Sequence, residues 1–204
     1  HRPDHHVGRE RSLLRQRSGP AAESVPAAPA RSLDMVGLVP KSEPEVPLLH
    51  WPDAGRFGAE VAVTTRHGGV SAPPYDSLNF GLHVGDDPAA VTANRRLAAG
   101  AFGVDLSRLV FARQVHGAGV AVVGSDDAGR GARADSDAVA DADVLVTTTP
   151  AVTLVIMVAD CVPLALVDPR AGVLAVVHAG WRGTAAGVVG AALETMVERG
   201  AARE

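Results

Sequence analysis

The stretch DVLVTTTPAVTLVIMVADCVPLALVDPRAGVLAVVH, residues 143–178, decides the fold. It contains four short runs rich in Val, Leu and Ile, at residues 143–148, 153–159, 164–167 and 173–178. Such runs, bounded by Thr, Pro, Asp and Gly, predict four β-strands. The second run is apolar without alternation, which predicts a strand that is covered on both faces.

The last two of these strands are joined by DPRAG, residues 168–172, which predicts an antiparallel hairpin. Pro suits the second position of a type I turn, and Gly suits the left-handed position that follows. In this register His178 falls opposite residues 161–163, so the Cβ atoms of Cys161 and His178 are expected roughly 5–8 Å apart. Such a pair can share a metal ion, act as nucleophile and base, or simply pack as a small Cys and a hydrogen-bonded His.

The remaining predicted elements surround this core. Residues 60–65 and 119–124 predict strands, and the polar stretch at 125–138 predicts a surface loop. An Asp followed by Pro begins a helix over residues 87–102, and an apolar stripe predicts a helix over 184–199. The fold class is therefore α/β, with a mixed, largely antiparallel sheet packed against helices.

The chain divides near residue 50. Residues 1–50 hold seven of the 14 prolines and show no helical or strand periodicity. We predict a disordered Pro/Arg-rich tail there and a single folded domain over residues 51–204.

Composition excludes several classes of function. Lys and Arg number 19 and Asp and Glu 23, so the net charge of −4 argues against a nucleic-acid partner. No apolar run reaches the roughly 18–20 residues that span a bilayer, so no membrane partner is expected. One Cys excludes an intramolecular disulfide, and without an apolar signal sequence we expect a cytoplasmic protein.

Residues whose side chains can act in catalysis or bind ligands lie at the ends of the predicted strands. Asp160 lies beside Cys161 at the end of an apolar strand, where a carboxylate must be paired or functional. HAGWRG, residues 178–183, is typical either of an anion seat with Arg182 as a charged fork or of a tight strand-to-helix turn with Trp181 as packing.

Three predicted loop segments contain polar side chains next to glycines. They are RHGG at residues 66–69, NFGLH at 79–83 and QVHG at 114–117. The His of QVHG is either a metal ligand or a surface side chain, and each segment is weak evidence alone.

Together these segments resemble one family. The laccase-domain proteins, first described as multicopper polyphenol oxidases and later as purine nucleoside phosphorylases of the YfiH type, carry similar motifs in the same order. The resemblance covers about residues 51–199 and rests on TTRHGGVS, SLNFGLHVGDDP, QVHG, ADADVLVT, ADCVPLALVD and VHAGWRGT.

The resemblance implies a metal site. Family members bind one zinc through a His of QxHG, the Cys of ADC and the His of HAGWRG, here His116, Cys161 and His178. Two His and one Cys leave a fourth position open, as in catalytic zinc sites. Copper is the alternative metal, but one Cys and a few His cannot supply several copper centres.

The resemblance also implies a reaction. Purine nucleosides (adenosine, inosine, guanosine and methylthioadenosine) would be cleaved with phosphate to free base and ribose 1-phosphate, and adenosine would also be deaminated. Asp160, Cys161 and His178 would be catalytic, with Asp160 as general acid/base or as an orienter of the metal site. Substrate contacts would come from Arg66, Asn79, Gln114, Trp181 and Arg182.

Two other functions remain open. Cys161 and His178 would serve equally in a cysteine hydrolase or amidase, and some family members are described as editing peptidoglycan precursors. Family members also continue past the last helix with an Ile-Gly-Pro-Cys-Cys-like segment, so we expect the C-terminal part to be missing here. An inactive, truncated remnant is therefore the third possibility.

Overall fold

Two β-sheets facing each other form the centre of the protein, as described for residues 11–16 and 46–203 by a computed structural model. The five-stranded sheet consists, in spatial order, of β2 (Leu48–His50), β3 (Ala59–Thr64), β1 (Arg11–Gln16), β7 (Thr153–Met157) and β4 (Leu109–Phe111). The four-stranded sheet consists of β5 (Val120–Val122), β6 (Val144–Thr147), β9 (Val173–Ala179) and β8 (Val162–Asp168). Pairing is antiparallel except at β4–β7 and β5–β6, which confirms the mixed, largely antiparallel prediction.

Helices cover the outer faces of both sheets. They are α1 (Pro88–Ala101) on the five-stranded sheet and α3 (Val188–Glu198) on the four-stranded sheet. The short α2 (Trp181–Ala185) follows β9 and precedes α3. Within the described residues, no helix is long and apolar enough to cross a bilayer.

The side-chain alternation of the strands explains the continuous apolar runs. Leu154 and Val176 are buried between the two sheets, whereas Val155 packs on the α1 side and Val177 on the α3 side. Successive residues of a strand point to opposite faces, so a strand covered on both faces must be apolar throughout. The prediction of a doubly covered second strand is therefore confirmed in β7, whose first four residues are buried.

The hairpin between β8 and β9 has the predicted register. Pro163 pairs with His178 and Asp168 with Val173. The carboxylate of Asp168 accepts hydrogen bonds from the backbone N–H groups of Arg170 and Ala171, both at 2.9 Å, which stabilises the turn. Since the turn fixes the register of the whole hairpin, it also places His178 beside the start of β8.

The predicted disordered tail over residues 1–50 needs a correction at two segments. Arg11–Gln16 form β1 in the middle of the five-stranded sheet, between β3 and β7, and Leu48–His50 form β2. Leu14 is fully buried, and Arg15 forms an ion pair of 2.7 Å with Glu60. Residues 1–10 and 17–45 lie outside the described residues, so disorder there stays a prediction.

The predicted helix over residues 184–199 is also wrong in its bounds. The structure has two helices, α2 and α3, separated at Gly187, whose φ of +81° is a left-handed conformation that glycine adopts without steric cost. The start of α1 is confirmed, because the Asp87 carboxylate accepts a hydrogen bond of 2.9 Å from the Ala89 N–H. The strand β4 was not predicted.

A buried arginine ties two long loops to α1. The guanidinium of Arg95 donates to the carbonyl oxygens of Phe80 and Gly131 and lies 3.9 Å from the centre of the Phe111 ring. Burial lowers the pKa of Arg95 to about 10, so the group still carries its charge at neutral pH. Both loops reach the cavity described below, and Arg95 therefore holds part of its wall in place.

Candidate metal centre

Three side chains that are distant in the sequence converge at one end of the sheets. His116, Cys161 and His178 each offer a ligand atom, and these atoms all lie within 4.8 Å of one another. The two imidazole rings meet edge to face, with centroids 4.7 Å apart. Two ligands of one tetrahedral zinc lie roughly 3.3–3.8 Å apart, so small side-chain rotations bring all three onto a common ion.

Each of these side chains is positioned by a strand end. His178 lies near the end of β9, and Cys161 directly precedes β8, so the hairpin register brings them together as predicted. His116 lies in the loop after β4 and has a φ of +61°, which is uncommon for a residue other than glycine.

A fully buried carboxylate connects two of the candidate ligands. Asp143, just before β6, accepts a hydrogen bond of 2.7 Å from Nδ1 of His178. Its two oxygens also accept the backbone N–H groups of Val115, His116 and Gly117, at 3.3, 2.9 and 2.8 Å. The sequence reasoning missed Asp143, although an Asp that opens a Val-rich strand is a signal of a buried, partnered charge.

A glycine packs directly against the candidate ligands. A Cβ atom at Gly180 would lie 3.0 Å from Cδ2 of His116 and 3.1 Å from Sγ of Cys161. The close approach at this glycine is therefore to the side chains of two candidate ligands.

The thiol of Cys161 lies in an environment that opposes its ionisation. Partial burial raises its pKa, and the negative charge of Asp160 raises it further. The thiol donates a long hydrogen bond of 3.8 Å to Oδ1 of Asp160. A divalent cation bound to the sulfur would have the opposite effect and favour the thiolate, because a coordinating thiol is deprotonated.

Two cavities meet at His116 and Cys161, and His178 borders one of them. The inner cavity, about 450 Å³, is bounded by the three ligands together with His83, Arg113, Gln114, Asp135 and Asp160. The outer cavity, about 670 Å³, is bounded by Val162, Trp181, Arg182 and Thr184. His116, Asp160 and Cys161 line both cavities, so the two cavities adjoin at these side chains.

Besides the three candidate ligands, four more of the predicted site residues line these cavities. Asp160 borders both, and Gln114 borders the inner one, where its carboxamide exchanges hydrogen bonds of 2.7 and 2.8 Å with the backbone of Met157. Trp181 is 73% exposed at the outer cavity, and the guanidinium of Arg182 lies 4.7 Å from the centre of its ring.

Two other predicted site residues are engaged elsewhere. Arg66 forms an ion pair of 3.0 Å with Asp76. Asn79 is buried, and its Nδ2 donates a hydrogen bond of 2.8 Å to Asp86. Neither Arg66 nor Asn79 borders the inner or the outer cavity.

Three polar residues that border the inner cavity were not predicted. They are His83, Arg113 and Asp135. The sequence marked residues 79–83 only as a polar loop, and Asp135 lay in a stretch predicted as solvent-exposed. No local pattern shows that both loops reach the same cavity, because they are held there by Arg95 from α1.

Comparison with known proteins places the chain in a family. Residues 60–204, more than half of the chain, match the family described as multi-copper polyphenol oxidoreductase laccase. The chain belongs to this family. Within the described residues, however, the laccase-domain chain has one cluster of three potential ligands, His116, Cys161 and His178, which suits one ion rather than several copper centres.

Individual relatives of this laccase-domain chain carry more specific names. It is 53% identical over 144 residues to a purine nucleoside phosphorylase of Streptomyces coelicolor, covering 71% of this chain and 57% of the relative. The crystal structure of YlmD from Geobacillus stearothermophilus matches with a TM-score of 0.62 at 47% identity, covering 63% of this chain and 48% of that one. YfiH of Bacillus licheniformis matches with a TM-score of 0.67 at 37% identity, covering 69% and 52%. The chain therefore spans about half the length of the relatives that it matches.

Proposed function

We propose that this laccase-domain chain is part of a zinc-dependent purine nucleoside phosphorylase. The substrates are adenosine, inosine, guanosine and methylthioadenosine, which phosphate cleaves to free base and (methylthio)ribose 1-phosphate. The observation that carries the proposal is the convergence of His116, Cys161 and His178 beside the inner cavity, with His116 and Cys161 also bordering the outer one. The name of the Streptomyces coelicolor relative supports the choice of reaction.

The donor set fits zinc. One thiolate and two imidazoles are ligands that Zn²⁺ accepts, and three protein ligands leave a fourth position for a small molecule. Copper is the alternative metal, since imidazole and thiolate also suit it. When bound, the ion supplies a Lewis acid that stabilises developing negative charge.

The remaining residues are assigned by the cavities that they border. Arg182 offers a charged fork to phosphate in the outer cavity, and Trp181 offers an exposed aromatic face to a base or ribose. Gln114 contributes to the wall of the inner cavity. Arg66 and Asn79 stay predicted substrate contacts, and in the structure their side chains bond to Asp76 and Asp86.

Asp160 is assigned to proton transfer. In phosphorolysis a phosphate oxygen forms a bond to C1′ of the ribose while the bond from C1′ to the purine nitrogen breaks. The electron pair of that bond goes to the base, which then takes up a proton. Asp160 borders both cavities, and we assign the transfer of that proton to its carboxyl group. Deamination of adenosine is a second activity proposed for the same site.

Product analysis tests the proposal. Zinc-loaded protein is incubated with adenosine, with and without phosphate, and the mixture is separated by chromatography. Adenine that forms only with phosphate supports phosphorolysis, and inosine that forms without phosphate supports deamination. If a folded, zinc-loaded chain yields neither product nor hypoxanthine, the chain as it stands is not such an enzyme.

A variant of Arg182 tests the phosphate assignment. Arg182→Ala should raise KM for phosphate while zinc content stays at the wild-type value, because Arg182 is not among the candidate ligands. Glu194→Ala, on the exposed face of α3, serves as the control for surface substitutions. Equal values of KM for both variants and wild type would contradict the assignment.

A cysteine hydrolase or amidase is the second candidate. It is favoured by the Asp143–His178–Cys161 array, in which a buried carboxylate orients an imidazole beside a thiol. Metal analysis separates the two functions. One tightly held zinc per chain blocks the thiol, whereas a metal-free chain with a rapidly alkylated Cys161 supports the hydrolase.

A further inference from the structure

We propose that Asp143 is the positioning residue of the metal centre. Its single carboxylate sets the geometry of both histidine ligands. This inference rests on the proposed metal site and extends it to a residue outside the ligand set. Asp143 touches neither cavity and does not offer a ligand atom to the cluster.

Asp143 fixes the ring orientation and the tautomer of His178. Its Nδ1 lies 2.7 Å from Oδ1 of Asp143, and both side chains are buried. A carboxylate accepts hydrogen bonds and cannot donate them, so the proton of the neutral imidazole must reside on Nδ1. Nε2 is then the nitrogen with a free lone pair, available to the ion. Carboxylate–histidine–metal arrangements of this kind raise the basicity of the ligand and fix its ring.

Asp143 also anchors the loop that carries His116. Three consecutive backbone N–H groups, from residues 115–117, converge on the same carboxylate. They hold His116 at its positive φ, a conformation that a non-glycine residue adopts only where its surroundings impose it. The carboxylate thereby fixes where the His116 side chain leaves the backbone.

The two roles are coupled because the same oxygen serves both. Oδ1 of Asp143 accepts from His116 N and from His178 Nδ1, while Oδ2 accepts from Val115 and Gly117. In Asp143→Asn, one oxygen becomes an NH2 group that faces two donors. Whichever way the amide turns, two of the four hydrogen bonds are lost. If the NH2 faces His178, that imidazole must shift its proton to Nε2, the nitrogen needed for the ion.

Zinc affinity is the direct test. Asp143→Asn should bind zinc about 10–100-fold more weakly than wild type in competition with a chromophoric chelator. Asp141→Asn is the matched control: the same chemical change is made two residues away, at an exposed carboxylate. Circular dichroism and thermal melting establish that each variant is folded at the assay temperature. Equal zinc affinity in wild type and both variants would overturn the positioning role while leaving the metal site intact.

A measurement on the unmutated protein keeps the inference testable if Asp143→Asn fails to fold. Two-bond ¹⁵N–¹H correlation spectra of histidine-labelled protein identify the tautomer of His178. We expect a proton on Nδ1 with and without zinc, whereas a proton on Nε2 would overturn the inference. The cobalt-substituted protein adds a second signature, because its visible spectrum should differ between wild type and Asp143→Asn. If wild-type protein binds neither zinc nor cobalt, the proposed metal site fails, and that result is distinct from a failure of the Asp143 assignment.

Discussion

Gly180 lies so close to Cys161 that a Cβ atom at position 180 would be 3.1 Å from the sulfur. The backbone of Gly180, with φ −74° and ψ 163°, is open to any residue, so only the steric contact requires glycine. The same Cβ would lie 3.0 Å from the ring of His116. The glycine of HAGWRG therefore leaves the space in which the side chains of His116 and Cys161 lie against the backbone at position 180.

Gly180→Ala should weaken zinc binding by about tenfold or more while the protein stays folded, because the added methyl group displaces Cys161 and His116 from each other. Chelator competition measures the affinity. Gly190→Ala is the matched control, since Gly190 lies in α3 with open space where its Cβ would be. That variant should keep full zinc affinity and gain roughly 0.4–1 kcal/mol of stability. Identical zinc affinities for the two variants would refute the steric argument.

Cys161→Ala should abolish zinc retention. The chain has one cysteine, so no other thiol can substitute, and two imidazoles alone bind zinc much more weakly. Atomic emission measures zinc per chain after gel filtration. We expect about one zinc in wild type and almost none in the variant. A variant that retains stoichiometric zinc and full turnover would remove Cys161 from the ligand set.

The metal-free thiol should respond to the charge of Asp160. Burial and that charge both raise the pKa of Cys161, so the thiolate forms only at a pH above the usual range for cysteine. Asp160→Asn removes the second cause, which lowers the pKa and increases the thiolate fraction at a given pH. The rate of alkylation by iodoacetamide is measured as a function of pH. The increase of this rate with pH should therefore begin at a lower pH in Asp160→Asn than in wild type.

The control for this titration is Asp126→Asn, an exposed carboxylate in a separate turn. Its alkylation profile should overlay that of wild type. If Asp160→Asn also overlays wild type, the carboxylate does not influence the thiol.

The packing of β1 predicts a large loss of stability for Leu14→Ala. Leu14 is fully buried between the two sheets and pairs with Leu154 of β7 and Val61 of β3. Truncating a buried Leu typically costs about 2–5 kcal/mol in the free energy of unfolding. Urea denaturation of the metal-free protein measures the change.

Leu49→Ala is the comparison for that experiment. Leu49 lies on β2 of the same sheet but is 58% exposed, so its truncation should cost less than about 0.5 kcal/mol. A Leu14→Ala variant as stable as Leu49→Ala would mean that β1 is not part of the folded sheet in solution.

Several features were predictable from the sequence because they depend on residues close together in the chain. The β8–β9 register follows from the composition of a five-residue turn, and it brought Cys161 beside His178 as expected. The Asp87 cap and Pro88 fixed the start of α1 for the same reason. The resemblance of six ordered motifs then added His116, which no spacing rule connects to the hairpin.

Other features required the tertiary structure. The six residues of β1 carry no pattern that indicates a place between β3 and β7, because strand preference depends on which partners are available. The break at Gly187 is similar, since an isolated glycine is tolerated within a helical pattern and only the packing decides whether it ends the helix.

The sequence by itself determined the hairpin, the three candidate ligands and the fold class. Only the tertiary structure decided that Asp143 joins two of those ligands, that Gly180 packs directly against two of them, and that Arg66 and Asn79 bond to Asp76 and Asp86. The physical reason is that a hydrogen bond or a steric contact between distant segments is made or lost when the distance between two atoms changes by a few tenths of an ångström. Those distances are fixed by the packing of the two sheets as a whole and are not encoded in any local run of residues.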